Sequence, residues 1–171
     1  MRELVKSLVQ IACLRRDPSA LPASAVLLVL LAAAYAAGSA LQSWMLHGAD
    51  RVLARTAADL VLTLATFWFV LAVTRRGHRF RQTMSAVLGT AALMTPLVML
   101  LLALKDPAAA SYPVALLAWA GSIGVIVWYT LVVGHILKSA LEVGFVTSIA
   151  ISVTYLIASA ALLTRLFPET A

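Results

Sequence analysis

The chain has 171 residues, of which 63% are hydrophobic and 12% are charged, and its formal net charge is +6. Soluble domains are about 45–50% apolar and about 25% charged, so this composition excludes an ordinary water-soluble domain and indicates one surrounded by lipid. The single cysteine, Cys13, excludes a disulfide-stabilised secreted scaffold, and the hydrophobicity excludes a disordered chain.

Residues 1–16 form the first predicted element. Apolar residues recur there at three- and four-residue spacing, whereas most polar residues fall on the opposite side. This pattern predicts a short amphipathic helix that lies on the cytoplasmic headgroups and is attracted to anionic lipid. Pro18 and Pro22 predict a turn into the bilayer, so residues 1–22 form one unit. An extended basic tail is the alternative.

Residues 23–171 are predicted to form a domain of five transmembrane helices. A helix needs about 20 apolar residues to cross the hydrocarbon core, and lipid-facing barrel strands would alternate with a period of two instead. Five stretches are long and apolar enough: residues 24–45, 56–74, 83–104, 112–137 and 143–167. The predicted fold class is therefore an all-α integral membrane protein whose five spans follow an interfacial helix.

Basic residues predict the orientation of the spans. Nine of the 13 lie on the side of the membrane that holds the N-terminus and the loop after the second span, and four lie on the other side. This difference places the N-terminus in the cytoplasm and the C-terminus outside. It also makes the net charge a signal of topology and not of nucleic-acid binding. The residues expected to contact lipid headgroups are Arg2, Lys6, Arg15, Arg16, Arg75, Arg76, Arg79 and Arg81.

Asp59 is an acidic residue near the outer end of the second span, and Arg55 precedes it by four positions. A carboxylate at the bilayer centre costs at least about 2.5 kcal/mol on insertion scales, so such a residue usually has a partner or contacts water. Side chains four positions apart share a helix face, which predicts a structural ion pair between Arg55 and Asp59. Binding of a proton or a cation by Asp59 is the functional alternative.

His135, Lys138 and Glu142 lie between the fourth and fifth spans. Their spacing places them on one helix face if the helix continues through Lys138, and it predicts a polar hinge at the cytoplasmic surface. One imidazole and one carboxylate are too few ligands for a metal site. A haem held by His78 and His135 is disfavoured because neither histidine lies at mid-membrane.

The chain contains no HExxH, GxSxG or CxxC motif and no glycine-rich phosphate loop. We therefore expect no enzymatic activity, no cofactor and no metal. Cys13 on the interfacial helix is a candidate for palmitoylation, although a lone cysteine there is more often a small apolar residue.

Small residues four positions apart predict close helix–helix contacts. They occur at Ala34/Gly38, Ser85/Gly89, Ala120/Gly124 and Ser148/Ser152. In lipid such pairs allow backbones to approach, so we expect them inside the bundle, with a dimer or a larger assembly as the alternative. Pro96 predicts a kink in the third span. The aromatic residues expected to be interface anchors or core residues are Tyr35, Trp68, Trp119, Trp128, Tyr129 and Tyr155.

The layout resembles the Yip family (Ypt-interacting, five-span membrane proteins) and its small bacterial relatives. The resemblance rests on the amphipathic start, residues 15–22 (RRDPSALP), the five spans, the short C-terminus and the polar residues 135–141 before the last span. It implies a multi-pass protein of the bacterial inner membrane. Eukaryotic members bind small GTPases and each other, but their longer cytoplasmic domain and tyrosine–glycine motifs are absent here, so GTPase binding is not carried over.

Two classes of function follow. The first is a non-catalytic membrane protein that acts as an accessory subunit, scaffold or membrane organiser, with other membrane subunits or a second copy of itself as partners. The second is a small transporter or oligomeric channel for protons or a cation that uses Asp59. Transporters usually show repeated halves and interrupted helices, and five spans do not divide into equal halves, so the first class is preferred.

Overall fold

The computed structural model describes residues 2–105 and 111–168. Within these ranges the chain folds into six α-helices and no strand. The helices are α1 (Arg2–Ala12), α2 (Ala25–His47), α3 (Val52–Val73), α4 (Phe80–Ala103), α5 (Tyr112–Leu141) and α6 (Phe145–Leu166). Helices α2 to α6 are long and apolar enough to cross a membrane, which is consistent with a multi-pass membrane protein. The first predicted unit begins at Met1 and the second ends at Ala171, and both of these residues lie outside the described ranges.

The five long helices coincide with the five predicted spans, but two boundaries differ by four residues. Helix α3 begins at Val52, four residues before the predicted start, so Arg55 lies in its first turns. Helix α5 continues through Lys138 to Leu141, four residues past the predicted end, and is followed by Glu142, whose φ is 51°. Polar residues within one turn of a helix end do not break a helix, so hydropathy alone predicts both helices too short.

The long helices form a closed ring. Helix α2 packs against α3 and α4, α5 packs against α4 and α6, and α6 returns to α3. Small residues permit the closest approach of α2 to α4, since a Cβ atom on Gly38 would lie 2.6 Å from the Thr95 hydroxyl oxygen. The α5–α6 contact includes a hydrogen bond of 2.9 Å from the Ser152 hydroxyl to the Thr130 carbonyl oxygen. Three of the four predicted small-residue pairs therefore include a residue that packs inside the ring.

Helix α1 packs against α4 and α5. A Cβ atom on Gly89 would lie 2.7 Å from the Cδ2 methyl group of Leu8, so the glycine leaves room for this side chain of α1 against α4. The Trp128 indole nitrogen donates a hydrogen bond of 3.1 Å to the Ala12 carbonyl oxygen, which joins the end of α1 to α5. Leu8 and Ile11 are buried, whereas Val5 and Val9 remain exposed. The predicted helix is present, but half of its apolar face contacts the protein.

The two ends of the ring differ in packing. The end that holds α1, residues 76–79 and Glu142 is here called the α1 end, and the opposite end, with His47 and Lys105, is called the His47 end. Near the α1 end, residues 83–90 of α4 are buried on every side, because α1, α2, α3 and α5 surround them. Towards the His47 end, α4 is half-buried or exposed, and it continues as a helix through Pro96. The solid core thus occupies the α1 end.

Candidate functional site

A cavity of about 550 Å³ lies inside the ring, in the half nearer the His47 end. All five long helices contribute to its wall, and it extends from three tyrosines, Tyr35, Tyr129 and Tyr155, to His47 and Lys105. Ligand pockets in proteins usually have volumes of about 300–1,000 Å³ and mostly apolar walls with a few polar groups. The cavity has this size and this mixture of groups.

Asp59 lies in the wall of this cavity and accepts two hydrogen bonds from α2. The Tyr35 hydroxyl donates to Oδ2 of Asp59 at 2.6 Å, and the Ser39 hydroxyl donates to the same oxygen at 3.1 Å. The other carboxylate oxygen, Oδ1, accepts no hydrogen bond from any residue that the structure describes. An ionised carboxylate has about four lone-pair sites, so Asp59 keeps acceptor capacity towards the cavity.

The predicted ion pair between Arg55 and Asp59 is wrong. No ion pair of 4.0 Å or less joins the two residues, although both lie on α3 and both line the cavity. The reason is that α2 supplies the partners of Asp59, and these hydroxyl groups hold the carboxyl group without bringing in a second charge. Arg55 therefore lies in the cavity wall without the counter-charge that its spacing predicts.

Sequence reasoning did not identify the α2 residues of the site. Tyr35, Ser39 and Ser43 recur every four residues, so they share one face of α2, and all three line the cavity. Their spacing in an otherwise apolar span was the available signal. The Ser43 hydroxyl is buried and has no hydrogen-bond partner among the residues that the structure describes.

Two further polar side chains, those of Tyr129 and Lys105, also line the cavity. The Tyr129 hydroxyl makes no hydrogen bond with the described part of the chain, unlike Tyr155, which pairs with Thr63 at 2.8 Å. Near the His47 end, the Lys105 ammonium nitrogen lies 4.1 Å from the centre of the Trp119 ring. This cation–π contact holds a second positive charge at the margin of the cavity.

The predicted hinge residues do not form one cluster. Glu142 pairs with Arg76 and with Arg79, each at 2.7 Å, and so joins the end of α5 to the connection between α3 and α4. The Arg76 hydrogen bond, with a smaller contribution from Arg79, lowers the pKa of Glu142 to about 2. His135 contacts the Arg16 carbonyl oxygen at 3.2 Å, whereas Lys138 is exposed. Glu142 follows the last residue of α5 in a left-handed backbone conformation, and its partners come from the connection between α3 and α4 and not from α5.

The basic residues predicted to contact headgroups divide into two sets. Arg76 and Arg79 are bound to Glu142, and Arg79 also donates to the Ser139 carbonyl oxygen at 2.9 Å. Arg16 is exposed but donates hydrogen bonds to Ser7 and Gln10 of α1. The remaining five are exposed at the α1 end, and their contact with headgroups stays a prediction: Arg2, Lys6, Arg15, Arg75 and Arg81.

Within residues 2–105 and 111–168, no group of three His, Cys, Asp or Glu side chains is placed to hold a metal ion. Comparison with family models, with curated proteins and with solved structures found no match to this chain. The resemblance to the Yip family therefore stays a prediction from the layout of the sequence.

Proposed function

We propose that this chain is a multi-pass membrane protein that binds a small ligand in the cavity between its spans. The ligand carries a positively charged group, which the protein binds. The observation that carries the proposal is the geometry of Asp59. Its Oδ2 atom accepts hydrogen bonds from Tyr35 and Ser39, and its Oδ1 atom, beside a cavity of about 550 Å³, accepts none from the part of the chain that the structure describes. A positioned carboxylate with a free oxygen is a site for an ammonium group or a metal cation.

The aromatic lining supports the same assignment. The rings of Tyr35, Tyr129 and Tyr155 line the inner part of the cavity beside Asp59. Tyrosine faces attract organic cations, and a carboxylate among aromatic rings is a common arrangement for ammonium groups. The Ser43 hydroxyl and the Tyr129 hydroxyl, which have no hydrogen-bond partner among residues 2–105 and 111–168, are further groups that could bind a polar ligand.

The shape of the cavity favours binding over conduction. Its lining residues come from the half of each helix nearer the His47 end, while residues 83–90 of α4 fill the other half. If the N-terminus is cytoplasmic, as the basic residues predict, the cavity faces the outside of a bacterial inner membrane. Transport of protons or of a cation through Asp59 would additionally require the packed half to open.

Thermal unfolding of the purified protein in nanodiscs tests this proposal with ethanolamine as an ammonium probe. A ligand that binds only the folded state raises Tm in proportion to its occupancy. We expect ethanolamine to stabilise the wild type and not Asp59→Asn, whereas Asp50→Asn, which lies at the same end outside the cavity, should behave as the wild type. Equal stabilisation of all three proteins, or of none, would overturn the proposal.

Assembly through α5 is a second candidate function. Of the four predicted small-residue pairs, Ala120 and Gly124 are the pair that packs on nothing inside the ring, since both are exposed and a Cβ atom on Gly124 would meet no atom within 4 Å. A small exposed face on a spanning helix lets another helix approach closely, which suits an accessory subunit or a scaffold.

Disulfide crosslinking in membranes tests the assembly candidate. With Cys13 replaced by alanine, Gly124→Cys should form a dimer on oxidation if α5 contacts a second copy, and Val146→Cys on the exposed face of α6 serves as the control. If only Val146→Cys crosslinks, the result argues against assembly through this face of α5. The same holds if neither variant crosslinks and no other membrane protein co-purifies.

A further inference from the structure

We infer that the ligand of the cavity is a zwitterion, whose ammonium group binds Asp59 and whose phosphate or carboxylate group binds Arg55. The inference rests on the proposed function, because it keeps Asp59 as the ammonium site and adds a site for the anionic half of the ligand. The chemistry is that of phosphoethanolamine, which occurs both as a free solute and as a phospholipid headgroup.

The arrangement of the two charges carries this inference. Arg55 and Asp59 share a face of α3, and four residues of helix separate their Cα atoms by about 6 Å along the axis. Both side chains line the same cavity, but no ion pair joins them, because Tyr35 and Ser39 hold the carboxyl group towards α2. The wall therefore presents a negative and a positive group side by side. Each group can still form hydrogen bonds and an ion pair with a ligand.

A simple cation fits this wall less well than a zwitterion. Arg55 and Lys105 both line the cavity, so a cation at Asp59 would add a third positive charge to a space lined by helices. Like charges in such a space repel more strongly than in water because the local dielectric constant is low. A zwitterion adds no net charge, and its anionic group would lie nearer the His47 end, where both basic residues are found.

The remaining wall accommodates the uncharged part of such a ligand. Apolar side chains of α4, α5 and α6 line the cavity between the charged groups, including Val98, Leu102, Ile126 and Leu156. They offer contact to methylene groups and, for a phospholipid, to the start of the acyl chains. The Arg55 guanidinium can bind a phosphate or a carboxylate with two parallel hydrogen bonds, which a lysine cannot do.

The experiment compares three soluble probes on the protein in nanodiscs made only of phosphatidylglycerol, so that no zwitterionic lipid is present. The probes are phosphoethanolamine, ethanolamine and methyl phosphate, and the readout is the Kd from the concentration dependence of Tm. We expect phosphoethanolamine to bind the wild type at least about tenfold more tightly than ethanolamine, which corresponds to about 1.4 kcal/mol. Methyl phosphate should bind most weakly.

Two variants separate the inference from the proposed function on which it rests. Arg55→Gln should remove the advantage of phosphoethanolamine and leave ethanolamine binding unchanged or tighter, whereas Asp59→Asn should remove both. Arg165→Gln, an exposed basic residue of α6 at the same end, should change nothing. If ethanolamine binds in an Asp59-dependent way but phosphoethanolamine binds no more tightly, the zwitterion is wrong and the ammonium site stands. If neither probe depends on Asp59, both are wrong.

A second arm identifies the source of the zwitterion. Phosphatidylethanolamine replaces part of the phosphatidylglycerol in the nanodisc, and Tm is measured for the wild type, Arg55→Gln and Arg165→Gln. Stabilisation by the lipid that requires Arg55 indicates a phospholipid headgroup, and an effect of soluble phosphoethanolamine alone indicates a free solute. Absence of an Arg55-dependent effect in both arms overturns the inference.

Discussion

The Tyr35 hydroxyl and Oδ2 of Asp59 are 2.6 Å apart, and this hydrogen bond joins α2 to α3 at the inner part of the cavity. It holds the carboxyl group without an ion pair to Arg55, so Arg55 keeps its own charge available. The bond is short and includes an acidic group, which places it among the stronger side-chain hydrogen bonds.

Tyr35→Phe tests the contribution of this hydrogen bond to stability. We expect the free energy of unfolding to fall by about 1 kcal/mol, since side-chain hydrogen bonds in membrane bundles average about 0.6 kcal/mol and reach about 1.7 kcal/mol. In the Asp59→Asn background the same change should cost less, because the two residues are coupled. Tyr112→Phe, at an exposed tyrosine, is the control in a denaturant titration. Equal costs in both backgrounds would contradict the coupling.

Docking of α1 is tested at Gly89. We expect Gly89→Ala to destabilise the protein by about 1–3 kcal/mol, the usual cost of an added methyl group in a packed interior, because the new Cβ atom would lie 2.7 Å from Leu8. Gly124→Ala adds the same group to the same kind of helix, but nothing lies within 4 Å of it, so it should not destabilise.

Leu8→Ala provides the complementary change. It removes the side chain that Gly89→Ala displaces, so the double variant should be more stable than the sum of the two single effects predicts. Additive effects would indicate that α1 does not dock on α4 at this position.

The ion pairs of Glu142 predict a dependence of stability on pH. The folded state lowers the pKa of Glu142 to about 2 from an ordinary value of 4.5, so the stabilisation is complete above pH 4.5 and is lost as the pH falls towards 2. We expect Tm of the wild type to decrease through this window more than Tm of Glu142→Gln. Because the pair is exposed, the difference should be small and should shrink in high salt. Identical pH profiles would show that these ion pairs do not contribute.

The predicted topology can be tested with single cysteines in a Cys13→Ala background. Gly77→Cys lies in the connection between α3 and α4 at the α1 end, and Asp50→Cys lies at the His47 end. We expect a membrane-impermeant maleimide to label Asp50→Cys in intact cells and Gly77→Cys only after lysis, because the basic residues favour a cytoplasmic α1 end. Labelling of both positions in intact cells would contradict the five-span topology.

The positions of the long helices could be predicted from the sequence because hydropathy is a local property. Each span has its own run of about 20 apolar residues, and each run became one helix. The amphipathic pattern of α1 was also local, but its partner was not. Leu8 could contact lipid or protein equally well on its pattern alone, and its contact with α4 beside Gly89 is visible only in the tertiary structure.

The helical class, the five apolar helices and the need to explain Asp59 all follow from the amino-acid sequence. The contacts of Asp59 do not, because they depend on the tertiary structure. The spacing of Arg55 and Asp59 describes a single helix, whereas Tyr35 and Ser39 reach the carboxyl group because α2 packs beside α3 in one particular register. In lipid an apolar side chain is as well surrounded by acyl chains as by another helix, so the composition of a span cannot select this register. Close packing of the whole ring selects it.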